Sequence, residues 1–235
     1  MMPFQEIIDR LSFLKEQGFI RTHRSGNTGI GKTLEDLLGI EENNFSGPNA
    51  ATLELKSGRK NVNSLLTLFT KSPDPPQVNS ILLENYGYKP STDSEKKKLH
   101  TTVNAIDYNS LKGGSGFKIG IQADRINLLI SDGQPVCYWL KDTLKQSFER
   151  KLPNLLYVKA EARGQGRSEE FWFNEAWVLS GFSFNRFVKL IKDGIILIDI
   201  RIGQYSDGRI HDHGTAFRIK PDKLDECFKK RLKVF

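Results

Sequence analysis

Apolar residues recur along this chain with two periods, and the switches between them outline its elements. In positions 3–17, PFQEIIDRLSFLKEQ, the residues Phe4, Ile7, Ile8, Leu11 and Leu14 fall on one helical face, with Gly18 as a stop. A polar, Gly-rich stretch follows, RTHRSGNTGIGKT, and TLEDLLGI then predicts a short helix capped by Thr33. Positions 51–56 (ATLELK) and 65–70 (LLTLFT) read as strands joined by a basic turn, SGRKNVN. The run PDPP breaks the pattern before a short helix around 78–85. Positions 87–116 are polar, and SEKKK followed by LKGGSG predicts an exposed excursion. Strand-like runs come next: FKIGIQ, INLLIS, VCYWLK, LLYVKAEA and EEFWFNEAWVL. A helix near 184–193 leads into IILIDIRIG, an apolar strand that turns amphipathic. PDKLDECFKKRLK predicts a closing helix with proline in its first turn.

Helices at both ends around many central strands indicate a mixed α/β or α+β fold, and no break in composition marks a boundary within 1–235. A single domain is expected. The 235 residues suffice for a sizeable core, and no run approaches the roughly 20 apolar residues that cross a bilayer. Cys137 and Cys227 lie far apart without metal-ligand spacing, as two ordinary reduced thiols would. The start, MMPFQEIIDRL, lacks the apolar run of a secretory signal, so a cytoplasmic protein without membrane contact is expected. A net charge of +7 adds a preference for polyanions without identifying one.

Two short motifs compete for the chemistry. Gly26 to Thr33, GNTGIGKT, matches the phosphate-loop pattern at every position, and the strand IILID ends in a candidate magnesium ligand. A phosphate loop, however, needs a buried strand running straight into it, so that its amides converge on the phosphates. The preceding GFIRTHRS is charged, and Asp199 continues into IRIG, so a nucleotide-hydrolysing enzyme is the weaker alternative.

The stronger motif is Pro48-Asn49-Ala-Ala-Thr-Leu-Glu54-Leu55-Lys56. Two residues apart on a strand, Glu54 and Lys56 project from the same face. A carboxylate there can hold Mg2+ against a phosphodiester, while the lysine orients the attacking water and offsets transition-state charge. Leu55 points to the core and offers its carbonyl to the same ion, and Glu35 supplies a further upstream carboxylate. An isolated Glu-x-Lys is most often an ordinary strand with a solvated face, and its surroundings carry the assignment.

Those surroundings are GNTGIGKTLEDLLGIEENN, PNAATLELKS, SLLTLFTKSP and IDIRIGQYSDGRIHDHGTAFRI. In this order they resemble the MvaI/BcnI family of type II restriction endonucleases, whereas 87–182 resembles it much less. The resemblance implies a MutH-like, restriction-endonuclease PD-(D/E)xK core with a mixed central sheet flanked by helices. It implies catalytic residues Glu35, Asn49, Glu54 and Lys56, with Mg2+ (or Mn2+) held by Asn49, Glu54 and the Leu55 carbonyl. Where the family has aspartate this chain has Asn49, which removes a full charge from the metal site. Crippled cutting with DNA binding spared is the expected result, and a sequence-specific binder that no longer cuts is the alternative.

The segment His211-Asp212-His213-Gly214-Thr215-Ala216-Phe217-Arg218 resembles the family's major-groove reader. Arginine bonds guanine in bidentate fashion, aspartate accepts from cytosine, and histidine donates to guanine. A zinc site is disfavoured because no Cys or His cluster completes it. Arg201 and Tyr205 extend that surface, and Lys71, Arg59 and Lys60 are candidate backbone contacts. The family cuts CCWGG or CCSGG as monomers that nick one strand at a time, and HDHGTAFR has the CCWGG form. The resemblance also implies a cognate DNA methyltransferase in the same system, without direct contact.

Overall fold

The computed structural model describes residues 3–40, 53–60, 62–90, 96–111, 114–152, 154–205, 207–212 and 214–235. Pro48, Asn49 and His213 therefore lie outside the described residues. In chain order the elements are α1 (Phe4–Glu16), β1 (Ile20–Arg21), α2 (Gly29–Leu38), β2 (Glu54–Arg59), β3 (Leu66–Thr70) and α3 (Val78–Tyr86). Then come β4 (Lys98–Val103), β5 (Ser110–Leu111), β6 (Gly114–Ser115), β7 (Lys118–Ile121), β8 (Arg125–Leu129), β9 (Pro135–Leu140) and α4 (Lys141–Lys151). The rest is β10 (Asn154–Arg163), β11 (Glu170–Ser180), α5 (Phe184–Lys192), β12 (Ile196–Gln204), β13 (Ile210–Asp212), β14 (Ala216–Ile219) and β15 (Lys230–Lys233). The fold is mixed α+β. Its contacts fall into two compact units, 1–64 with 149–183 and 224–235, and 65–148 with 184–223.

The first unit is built on a sheet ordered β1-β11-β10-β2, with β15 also on β11. Strand β2 runs parallel to β10, which pairs antiparallel with β11. Helices α1 and α2 cover one face. Ile7, Leu11 and Leu14 of α1 and Ile30, Leu34 and Leu38 of α2 join Leu53, Leu55, Leu156, Val158, Phe171 and Phe173 in one core. Each such side chain contributes about 1.5–3 kcal/mol of burial. A bulge in β11 at Asn174 lets both Phe173 and Ala176 face this core, although their spacing is odd.

Three expectations for this unit are corrected. Helix α2 begins at Gly29, so Thr33 lies inside it and its hydroxyl donates to the Gly29 carbonyl while accepting the His23 amide. Gly29 permits this entry, because a Cβ there would meet the Arg24 carbonyl oxygen at 2.1 Å. Second, β2 continues through Gly58 and Arg59, and β2 and β3 join different sheets instead of forming a hairpin. Third, the C-terminal segment makes only a 3-10 turn, Pro221–Glu226, before β15 pairs with β11. Helical spacing of buried residues stops at Leu224, Cys227 and Phe228, and the rest of the chain satisfies the outer edge of β11.

The second unit has a sheet in which β12 is flanked by β4 on one side and by β14 and β13 on the other, with β3 beyond β14. The alternation of IILIDIRIG is realised here. Ile196, Ile198, Ile200 and Ile202 are buried, while Asp199 and Arg201 project from the opposite face. The buried face meets an aromatic cluster in which Phe217 lies 4.9 Å from Phe69, 5.4 Å from Phe187 and 5.9 Å from Trp139. Strands β7, β8 and β9 form a separate antiparallel meander. The expected excursion at 87–116 is also corrected. It contains β4, paired with β12 over six residues from Lys98 to Val103, with Leu99 and Val103 fully buried. Thr101 takes the inner-face position between these two, so a polar residue interrupts the alternation and hides a half-buried strand in a hydrophilic stretch.

Candidate active site

Strand β2 places Leu55 in the helix-covered core and turns Glu54 and Lys56 to the other face. The Glu54 carboxylate is only 1% exposed, and Lys56 Nζ lies 2.9 Å from its Oε1. Its Oε2 is buried and has no hydrogen-bond partner among the described residues. A buried carboxylate oxygen left open in this way is costly unless a cation or donor meets it. Glu54, the neighbouring backbone and an adjacent lysine therefore fit a divalent cation, although no cluster of three His, Cys, Asp or Glu forms among the described residues. Glu35 lies half-buried on α2, whose apolar face packs on Leu53 and Leu55.

The Gly-rich segment is held from β2. Arg59 forms a bidentate pair with Glu169 at 2.6 and 2.8 Å and reaches the carbonyls of Gly26 and Asn27. Its guanidinium also sits 5.1 Å from the Phe171 ring. Arg59 is therefore a brace for the start of α2, and these bonds occupy most of its donors. This segment lacks the geometry of a phosphate loop. The strand before it, β1, is a two-residue antiparallel edge, and Lys32 Nζ lies 2.8 Å from Asp36 Oδ1 within α2. Lys32 and His23 together hold the Asp36 carboxyl below its usual range.

Lys60 faces away from Arg59, onto the Glu54–Lys56 side, where its Nζ is 3.1 Å from Glu175 Oε2. Glu175 also takes Lys159 at 3.0 Å and the Trp177 indole N–H at 2.7 Å. Burial pushes the Glu175 carboxyl up, but these donors outweigh it and hold its pKa at about 2. No spacing rule predicts this cluster. A charge at an interior position of the apolar run EEFWFNEAWVL is its one local mark.

In the second unit, Asp199 collects the basic residues expected to face DNA. Arg218 Nη1 donates to Asp199 Oδ2 at 2.7 Å and Nη2 to the Leu65 carbonyl, while Arg201 Nε stands 3.6 Å from the same carboxylate oxygen. Thr102 of β4 donates to Asp199 Oδ1 at 2.9 Å. The Nε atoms of both arginines are buried without a hydrogen-bond partner among the described residues. Tyr205 and His211 face each other across the β12–β13 turn as stacked rings 4.6 Å apart, with Arg209 over Tyr205. Asp212 accepts from the Gly214 amide at 2.7 Å, from Asn79 at 2.6 Å and from Ser72 at 3.1 Å, so its carboxylate ties β13 to the segments around Ser72 and Asn79. The half-buried Lys71 is fixed through its backbone, its amide bonding Thr215 and its carbonyl accepting the Trp139 indole N–H.

Sequence reasoning had not singled out Glu169, Glu175, Asp199 as an arginine partner, or Asn79. Glu169, Glu175 and Asn79 act across more than 100 residues, and Asp199 meets Arg218 only because β12 pairs with β14, which no motif reveals.

Comparison with known proteins accords with this geometry. The chain is similar to a solved complex of restriction endonuclease MvaI with its cognate DNA substrate, at 32% identity over 100% of both chains and a TM-score of 0.87. It is also similar to MvaI in the absence of DNA, at 30% identity over 100% of this chain and 99% of that one, with a TM-score of 0.59. No curated protein matches it significantly. The profile of the MvaI/BcnI restriction endonuclease family matches residues 8–228, nearly the whole chain, so this chain belongs to that family of site-specific deoxyribonucleases.

Proposed function

We propose that this chain is a Mg2+-assisted endonuclease for double-stranded DNA whose cutting is crippled by Asn49 and whose binding is spared. The observation that carries this reading is the unpartnered, buried Oε2 of Glu54 beside Lys56. When bound there, a divalent cation (Mg2+, with Mn2+ as substitute) lowers the pKa of an attacking water and offsets phosphate charge. Glu54, Asn49 and the Leu55 carbonyl are the groups that would hold it. Lys56 orients the water and stabilises developing charge at the scissile phosphate, and Glu35 adds a carboxylate to the same centre. Asparagine at position 49 offers one neutral oxygen in place of a carboxylate, which weakens cation binding.

The reading segment, with Arg201, Tyr205, His211, Asp212, His213 and Arg218, serves a site of the CCWGG type, and Lys71 adds a contact to the duplex. The chain acts as a cytoplasmic monomer paired with a methyltransferase that modifies the same sequence. Support comes from the family membership and from the polar, arginine-bearing face of the second sheet. A binder that never cuts is favoured by Asn49 alone.

One comparison separates the two readings. Asn49→Asp is expected to raise Mg2+-dependent nicking of a CCWGG duplex by at least about a hundredfold, a loss typical of disturbed metal ligation. Binding of the same duplex should change little. A revertant inert on varied duplexes, with Mg2+ or Mn2+, overturns the active-site assignment.

A further inference from the structure

The face of the first sheet that bears Glu54 and Lys56 continues beyond them as ordered rows. Pairing aligns Lys56 with Tyr157, Trp177 and Lys233 across four strands, and the next row aligns Gly58 with Lys159 and Glu175. Paired residues share a face, so the Lys60–Glu175–Lys159 trio stands beside the active pair and not behind it. The row of Lys159 lies two residues along the strand from that of Lys56, roughly 7 Å at about 3.3 Å per residue. That distance is comparable to the step between successive phosphates of one DNA strand.

The charges on this face do not cancel. Around the active pair, Lys56, Lys60, Lys159 and Lys233 stand against Glu54, Glu175 and, one row further along β10, Glu161, which accepts from Asn174. A brace for the sheet needs one cation per carboxylate, yet Glu175 holds two lysines, one on each oxygen. Lys60 and Lys159 are partly exposed, at 23% and 33%, and each ammonium has three donors of which the carboxylate takes only one. Trp177 anchors the same carboxylate through its indole N–H, so both lysines are fixed before any ligand arrives. Fixed cations bind an anion without the entropy loss of ordering two long side chains.

We propose that Lys60 and Lys159, positioned by Glu175, form a second phosphodiester-binding site, which takes a backbone phosphate of the duplex next to the one that is cut. This rests on the nuclease reading of Glu54 and Lys56. The site reads no base. It sets the register of the cleaved strand against Lys56.

The test is duplex affinity of the chain as it exists, measured by fluorescence anisotropy against KCl concentration for a CCWGG duplex and a scrambled one. Lys60→Ala and Lys159→Ala should each weaken both duplexes about tenfold at physiological salt, in line with loss of one charged hydrogen bond. Each should also lower the slope of log K against log salt by about 0.9, the contribution of one phosphate contact. Lys159→Arg should restore both quantities. Unchanged slopes in both alanine variants, with a lowered melting temperature, would overturn the site and make the trio a brace. If the parent chain itself shows no salt-dependent duplex binding, the nuclease reading fails with it. Normal parent binding with unchanged variant slopes sinks only the second site.

Discussion

Lys56 Nζ sits 2.9 Å from Glu54 Oε1, while the other oxygen of that carboxylate is buried with no partner among the described residues. The lysine neutralises half of the carboxylate and leaves the rest aimed at a position that a cation would fill. The two residues behave as one unit, which sets how each responds to substitution.

Glu54→Gln should abolish stabilisation by divalent cations, read as the loss of any Mn2+-induced rise in melting temperature. Duplex binding in metal-free buffer should persist. A cation-induced rise that survives in Glu54→Gln would show that Glu54 is not a ligand.

The Asp199–Arg218 pair makes a second prediction, in the other unit. Among the described residues, Arg218→Ala leaves a buried carboxylate with Thr102 and a more distant Arg201. Breaking such a pair should destabilise the fold by about 3–5 kcal/mol. The double variant Arg218→Leu with Asp199→Asn should recover much of that stability without recovering selectivity for CCWGG. Chemical denaturation and competition binding read the two effects separately.

Glu175 predicts a pH dependence. Its pKa is about 2 in the fold against an ordinary 4.5, so its ion pairs stabilise the protein fully above about 4.5. That contribution, on the order of 3 kcal/mol from the size of the shift, disappears as pH falls from about 4.5 towards 2. Glu175→Gln should flatten the stability profile across that window and leave its shape near neutrality unchanged. An identical acid limb in the variant would contradict this assignment.

Gly58 offers a purely steric test. A Cβ at this position would stand 2.5 Å from the Tyr157 hydroxyl, and Tyr157 is almost fully buried, so its ring has little room to move. Gly58→Ala should therefore lower stability by about 1–3 kcal/mol, the usual range for overpacking. Pairing it with Tyr157→Phe, which removes the clashing oxygen, should return part of the loss. If Gly58→Ala melts like the parent, Tyr157 is freer than its burial implies.

What could be read from the sequence was whatever repeats locally. The spacing of Ile7, Leu11 and Leu14 identified α1, and the alternation in IILIDIRIG identified β12 and its two faces. The Glu54-Leu55-Lys56 triplet announced its own geometry, because two residues along a strand return to the same side. The same local reasoning failed at the C-terminus. Leu224, Cys227 and Phe228 imitate a helix, but the open edge of β11 draws the following residues into β15. It failed again at β4, whose two buried residues were too few to stand out from their polar neighbours.

Two features are legible in the sequence alone: Glu54 and Lys56 share one face of a strand, and the ordered segments are those of the MvaI/BcnI restriction endonucleases. What the neighbours of Glu54 and Lys56 do depends on how the chain folds. Adjacent in sequence, Arg59 and Lys60 are equivalent candidates for phosphate by motif alone, but successive strand residues point to opposite faces. Arg59 therefore meets Glu169 and the Gly26 carbonyl on the helix side, while Lys60 meets Glu175 on the side of Glu54. Their roles depend on partners more than 100 residues away, at positions 169 and 175, and chain folding alone brings these within hydrogen-bonding distance.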